Sequence, residues 1–132
     1  MLTALLLLSA CGQSPQSTQP STSPPALTVS GTVTVKDFSA VTTMNEVTCT
    51  TRGGYSDIQE GAQVVVTDAS STTIALGQLA HGSWDRHTGC VFFFNIPDVP
   101  ADQKFYGVEV SHRGRLQYTA EQVVKPLALT IG

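Results

Sequence analysis

Apolar and polar residues alternate without a break over Leu27-Thr28-Val29-Ser30-Gly31-Thr32-Val33-Thr34-Val35, the two-residue period of a half-buried strand. Helical spacing fails there. Gly61-Ala62-Gln63-Val64-Val65-Val66-Thr67-Asp68 is a β-branched run stopped by the turn-forming Asp68-Ala69-Ser70-Ser71, and Thr72-Thr73-Ile74-Ala75-Leu76-Gly77 reads as its return strand, so the two predict a hairpin. Cys90-Val91-Phe92-Phe93-Phe94-Asn95-Ile96 is apolar on both faces and predicts a central strand, followed by a rigid turn over Pro97-Asp98-Val99-Pro100-Ala101-Asp102. Tyr106, Val108 and Val110 then alternate with Glu109 and Ser111, and Arg113-Gly114 closes that strand.

Leu116-Gln117-Tyr118 reads as a short excursion. Thr119-Ala120-Glu121-Gln122 fits a capping box, in which the Thr119 hydroxyl accepts from the Gln122 amide and the Gln122 side chain returns the bond. A turn or two of helix follows before Pro126 ends it, and Leu127, Leu129 and Ile131 alternate as a last strand. About seven strands with one helical turn near 119–124 predict an all-β chain, folded as an antiparallel two-sheet sandwich over residues 27–132.

The amino-terminal residues have a different composition. Met1-Leu2-Thr3-Ala4-Leu5-Leu6-Leu7-Leu8 is apolar and uncharged but shorter than the roughly 20 residues needed to cross a bilayer, so residues 1–10 read as a targeting segment. With it, Leu8-Ser9-Ala10-Cys11 resembles the lipobox of bacterial lipoproteins. The resemblance implies diacylglycerol transfer to the Cys11 sulfur, cleavage before Cys11, fatty acyl chains such as palmitate, and a place outside the cytoplasm on the cell membrane or outer membrane. One departure is the lack of an early Lys or Arg; the first basic side chain is Lys36. Residues 11–26 are rich in Ser, Pro, Gln and Thr, carry no charge and offer nothing large to a core, so they read as a tether.

Three cysteines are present, and lipidation of Cys11 would leave Cys49 and Cys90. An even remainder in an oxidising compartment predicts a Cys49–Cys90 disulfide. Free thiols or a metal site are the alternatives, but neither cysteine has a second Cys or a His at ligand spacing.

The order of the V-V-V-T-D strand ending at Asp68, the F-F-F strand, Ile96-Pro97-Asp98-Val99-Pro100 and Tyr106-Gly107-Val108-Glu109-Val110 before Gly114 resembles carboxypeptidase-regulatory or transthyretin-like domains. It implies an Ig-like or transthyretin-like sandwich serving as a non-catalytic accessory or adhesion module. The chain departs from that pattern at Ser71, where the family has Gly, and over residues 39–55. A resemblance to small bacterial lipoproteins without assigned activity implies no chemistry at all.

Charged residues make up only 13%, about half the usual share, and the net charge is −3. Nucleic acid as a partner is thereby disfavoured, since it requires a clustered basic surface; His112-Arg113-Gly114-Arg115 is too small a group. No nucleophile elbow, Walker loop, dinucleotide fingerprint or zincin motif occurs, so the chain reads as a non-enzyme without a cofactor.

Three sets of candidate site residues remain. His81-Gly82-Ser83-Trp84-Asp85-Arg86-His87 reads as a polar loop in which His81, Asp85 and His87 could ligate Zn²⁺ or Cu²⁺; the plainer reading is a solvated loop with Trp84 tucked against the sandwich. The pairs Asp98 and Asp102, or Asp57 and Glu60, offer oxygens to calcium but are more simply turn formers. Tyr55 and Trp84 fall in loops where an aromatic ring anchors a protein, peptide or saccharide of the envelope, whereas Tyr106 reads as core.

Overall fold

The computed structural model describes residues 11–20 and 24–132. The expected signal segment, residues 1–10, and tether residues 21–23 lie outside this range. Tether residues 11–20 are exposed and carry no regular secondary structure. The domain starts one residue earlier than expected, at Ala26, and Pro25 already accepts a 3.0 Å hydrogen bond from the Ala101 amide.

The fold is all-β, with two sheets. The larger sheet contains β1 (Ala26–Val35), β2 (Val41–Met44), β3 (Thr48–Thr51), β6 (Gly82–Asp85), β7 (Gly89–Pro100) and β10 (Leu127–Ile131), in the order β10-β1-β7-β6-β3-β2. The smaller contains β4 (Gln63–Thr67), β5 (Thr73–Gln78), β8 (Phe105–Val110) and β9 (Arg115–Thr119), in the order β5-β4-β8-β9. Alternation decides which residues meet between them. Val29, Val33 and Val35 of β1, with Phe92, Phe94 and Ile96 of β7, face Val64, Val66, Tyr106 and Val108 of the smaller sheet, and all ten are buried. Tyr106 is fully core, as expected, and its hydroxyl donates to the Pro100 carbonyl at 2.8 Å.

The Gln63–Thr67 and Thr73–Gln78 hairpin, the central strand at Cys90 and the strand through Tyr106 form as the pattern predicts. The capping box at Thr119 forms too, with Gln122 Oε1 accepting from the Thr119 amide at 2.9 Å and α1 (Ala120–Val123) running for one turn. Four expectations are corrected. Among the described residues there are ten strands, not about seven. The sheet is not wholly antiparallel, because β10 joins β1 in parallel, pairing Leu127 with Gly31 and Leu129 with Val33. Of the rigid turn expected over residues 97–102, residues 97–100 are instead the end of β7, which absorbs Pro97 and Asp98 in a bulge with Asp98 at φ 58°. A bulge relieves the ladder of one residue, so a proline without an amide is tolerated there. The excursion at Leu116–Tyr118 is β9, pairing Tyr118 with Tyr106.

Cys49 of β3 and Cys90 of β7 form the expected disulfide. Between them lies β6, where Gly82 pairs with both Cys49 and Phe92. Two strand spacings would separate β3 from β7 by roughly 9–10 Å, yet the cysteine Cα atoms are 5.8 Å apart, so the sheet folds inward around Gly82. Any other residue there would obstruct the fold, since a Cβ on Gly82 would lie 2.9 Å from Cys90 Sγ and 2.9 Å from the Phe92 ring.

Two predictions follow from this packing. The bridge spans a sequence separation of 41 and constrains the unfolded chain accordingly, so the double variant Cys49→Ala/Cys90→Ala is expected to lose about 2–4 kcal/mol in urea unfolding; an unchanged midpoint contradicts it. At the tip of the β2–β3 hairpin Asn45 and Glu46 have φ of 54° and 55°, the left-handed pair that a primed turn requires. Glu46→Gly removes the strain of a side chain in that region and should raise stability by about 0.5–1 kcal/mol in the same assay.

Candidate functional site

The larger sheet has two more strands than the smaller, and its β6-β3-β2 end overhangs the sandwich. Beside β6 lies a shallow concavity of about 600 Å³, lined by Thr43, Glu46, Trp84, Asp85, Arg86 and His87. Trp84 supplies its wall. In β6 its position pairs with Cys90, which turns the indole to the inner side of the sheet, and its amide donates to the Val47 carbonyl at 2.8 Å. The Phe38 ring meets Trp84 edge-on, with centroids 5.5 Å apart and planes at 83°. Phe38 remains 48% exposed, so the apolar wall continues toward solvent.

Asp85 is not a free ligand. Its Oδ1 accepts from the amides of His87 at 2.7 Å and Thr88 at 2.9 Å, which fixes the β6–β7 turn and holds the carboxyl below its ordinary pKa, the His87 amide contributing most. Glu46, at the tip of the β2–β3 hairpin, and Arg86 and His87, in the turn after β6, bring charge of both signs to the rim. All three are exposed.

His81 lies elsewhere. Segment His81–His87, expected as a loop, contains strand β6, and a strand keeps its two ends apart. His81 belongs instead to a smaller notch of about 180 Å³, where β3 parts from β6 and Thr50, Gln59 and Glu60 form the walls over Phe92. Among the described residues no three His, Cys, Asp or Glu side chains converge as a metal site would require, so His81, Asp85 and His87 are not brought together. The calcium pairs fare likewise: Asp57 is taken up by an arginine, and Asp98 sits in the β7 bulge.

Tyr55 closes a 3-10 turn, Gly53–Tyr55, and packs half-buried against the core. The Arg113 guanidinium covers its ring at 5.3 Å, while Nε donates to Asp57 Oδ2 at 2.8 Å and Nη2 pairs with Asp57 Oδ1. Tyr55 is thus part of an Arg-clamped corner, not a bare platform. Thr43 and Glu46 were not legible because β2 and β3 are mostly Thr and lack the apolar contrast that marks a strand. Asn45, a turn former between two Thr-rich runs, was the one signal for their hairpin.

The Arg113 guanidinium holds the Asp57 carboxyl at about 2, against 3.8 for the unperturbed group. A lowered folded-state pKa contributes stability that is present above pH 3.8 and is lost as pH falls toward 2. With 38% of the Asp57 side chain exposed, solvent screens the pair and the effect is small. Asp57→Asn should therefore flatten the acid limb of stability between about pH 4 and 2 relative to the parent in pH-dependent urea unfolding; parallel limbs would contradict this. No protein-family model, curated protein or solved structure matches the chain, so its own geometry carries the functional reading.

Proposed function

We propose that this protein is a bacterial envelope lipoprotein, tethered to a membrane through acylated Cys11, whose β-sandwich binds a protein or peptide partner without catalysis at the Trp84 concavity. The observation that carries the reading is that concavity itself: an indole wall extended by exposed Phe38 and rimmed by Glu46, Arg86 and His87. A half-exposed aromatic edge with charges around it is the usual composition of a protein-binding centre, and charges of both signs favour a peptide over a neutral sugar. Asp85 is engaged with backbone amides, which supports a binding role over one in which it orients His87 as a base.

The direction of β1 supports the tethered arrangement. Ala26, where the tether enters, pairs with Pro100, whereas Val35 pairs with Cys90 beside Trp84. The strand's 10 residues place these ends roughly 30 Å apart, so the concavity is presented away from the anchored end. Lipid at Cys11 suits this arrangement, since two acyl chains hold a protein to a bilayer where one does so only marginally.

Two measurements test the two halves of this reading. Intact-mass analysis of the membrane fraction should give a chain beginning at Cys11 and carrying a diacylglyceryl group, and Cys11→Ser should move the protein to the soluble fraction; Met1 retained without acyl chains overturns the anchor. For the site, crosslinking in intact cells should give a discrete adduct that falls at least about tenfold in Arg86→Glu or Glu46→Lys, with the melting temperature unchanged. An adduct indifferent to both charge reversals overturns the binding site.

A further inference from the structure

Three successive rows on the outward face of the larger sheet carry no ionisable side chain, with Asp85 of β6, two residues beyond Ser83, at their border. Alternation and register place Thr130 of β10, Thr34 of β1, Val91 of β7, Ser83 of β6, Thr48 of β3 and Met44 of β2 in one row across all six strands. The neighbouring row brings Ala128 and Thr32 beside Phe93, and the next pairs Ser30 with Asn95. None of these side chains ionises. By contrast, the outward face of the smaller sheet carries the cross-strand pair Glu109 and Arg115.

Threonine is favoured in strands, so hydroxyls alone would be ordinary on a solvent face. Two features are not explained by propensity. Solvent-facing strands usually carry Lys and Glu, which also guard against sheet association, and here both are absent across three rows. In the middle of the hydroxyls stands Phe93, 54% exposed, with Asn95 exposed two residues along the same strand.

From this charge balance and side-chain set, we propose that the β1–β7 region of this face binds an extended, neutral, β-linked polysaccharide. A neutral polymer is the complement of a surface that offers no charge to pair with a polyanion or a charged peptide. Serine and threonine hydroxyls each donate and accept, as do the hydroxyls of a sugar, and the Asn95 amide supplies two donors and an acceptor. The Phe93 ring offers an apolar surface for the C–H face of a pyranose. A second copy of the chain fits less well, because stable homodimer interfaces have apolar centres and this face is chiefly hydroxyl. The long strands β1 and β7 provide the length, with Ser30 to Thr34 spanning about 13 Å at 3.3 Å per residue.

This surface lies on the opposite side of the sheet from Trp84, and the inference depends neither on the concavity nor on the anchor. The test uses the full chain purified in detergent from membranes or, if it is not membrane-bound, from the soluble fraction. It is co-sedimented with microcrystalline cellulose and with chitin, alongside an anionic polysaccharide, polygalacturonate. Saturable binding to at least one neutral polymer is expected, reduced at least tenfold in Phe93→Ala and in Thr32→Lys and retained in Glu109→Gln, with melting temperatures compared throughout. No binding to either neutral polymer, equal binding by Phe93→Ala, or preference for polygalacturonate overturns the proposal. A concentration-dependent dimer in sedimentation velocity that Thr32→Lys abolishes assigns the face to self-association and overturns it as well.

Discussion

The inward fold of the six-stranded sheet at Gly82 is the constraint on which the rest of the molecule's shape depends. A sheet of six strands cannot be covered by one of four, and the surplus must either stand exposed or turn back toward the core. The Cys49–Cys90 bridge takes the second course, joining strands that are not neighbours across one residue that has no side chain. Its Cα separation of 5.8 Å converts an overhang into a wall, and Cys49 is only 2% exposed behind it. Besides the bridge, β3 is held to β6 by two paired positions and by the Trp84 amide donating to the Val47 carbonyl, so the covalent bond reinforces a short ladder.

Charge is segregated by the same architecture. Ionisable residues gather in turns and at strand ends, where they do local work: Asp37 and Asp68 accept from nearby backbone amides, Arg52 reaches the Ser39 carbonyl, and Arg113 clamps the corner at Tyr55. The long strands that build the core are left with hydroxyls on their solvent side. In a chain with 13% charged residues this leaves few charges for the sheet faces, the Glu109–Arg115 pair of the smaller sheet among them. The absence of charge beside Phe93 and its concentration around Trp84 are thus two results of one distribution.

What was legible in the sequence was whatever had apolar contrast or a fixed chemical pairing. Val29 through Val35, Val64 through Val66 and the Phe92–Phe94 run announce strands because each alternates or saturates with apolar side chains, and Thr119–Gln122 announces its cap because that motif needs only four residues. Strands β2 and β3 were not legible: VTTM and TCTT carry no period, and they are strands because pairing with each other and with β6 satisfies their backbones. Pro97 misled for the same reason, since a proline that signals a turn in isolation is accommodated by a bulge when β1 runs alongside. Of the site, Trp84, Asp85 and His87 were found as a cluster, but His81 was misplaced because nothing local shows that four of the five residues between the two histidines are extended.

The parallel pairing of β10 with β1 gives the domain its polarity. Both strands run toward the Trp84 end, so β10 finishes beside the far end of β1, where the Lys36 amide donates to the Ile131 carbonyl at 3.0 Å. An antiparallel final strand would have carried the terminus back toward the tether. Because the longest strands, β1 and β7, connect the two ends directly, a pull at Ala26 is carried by their antiparallel ladder, whose hydrogen bonds lie across the strands and share the load. The concavity at the other end is separated from Ala26 by the buried core of Val33, Val35 and Phe92, an arrangement that suits the tethered binding surface proposed above.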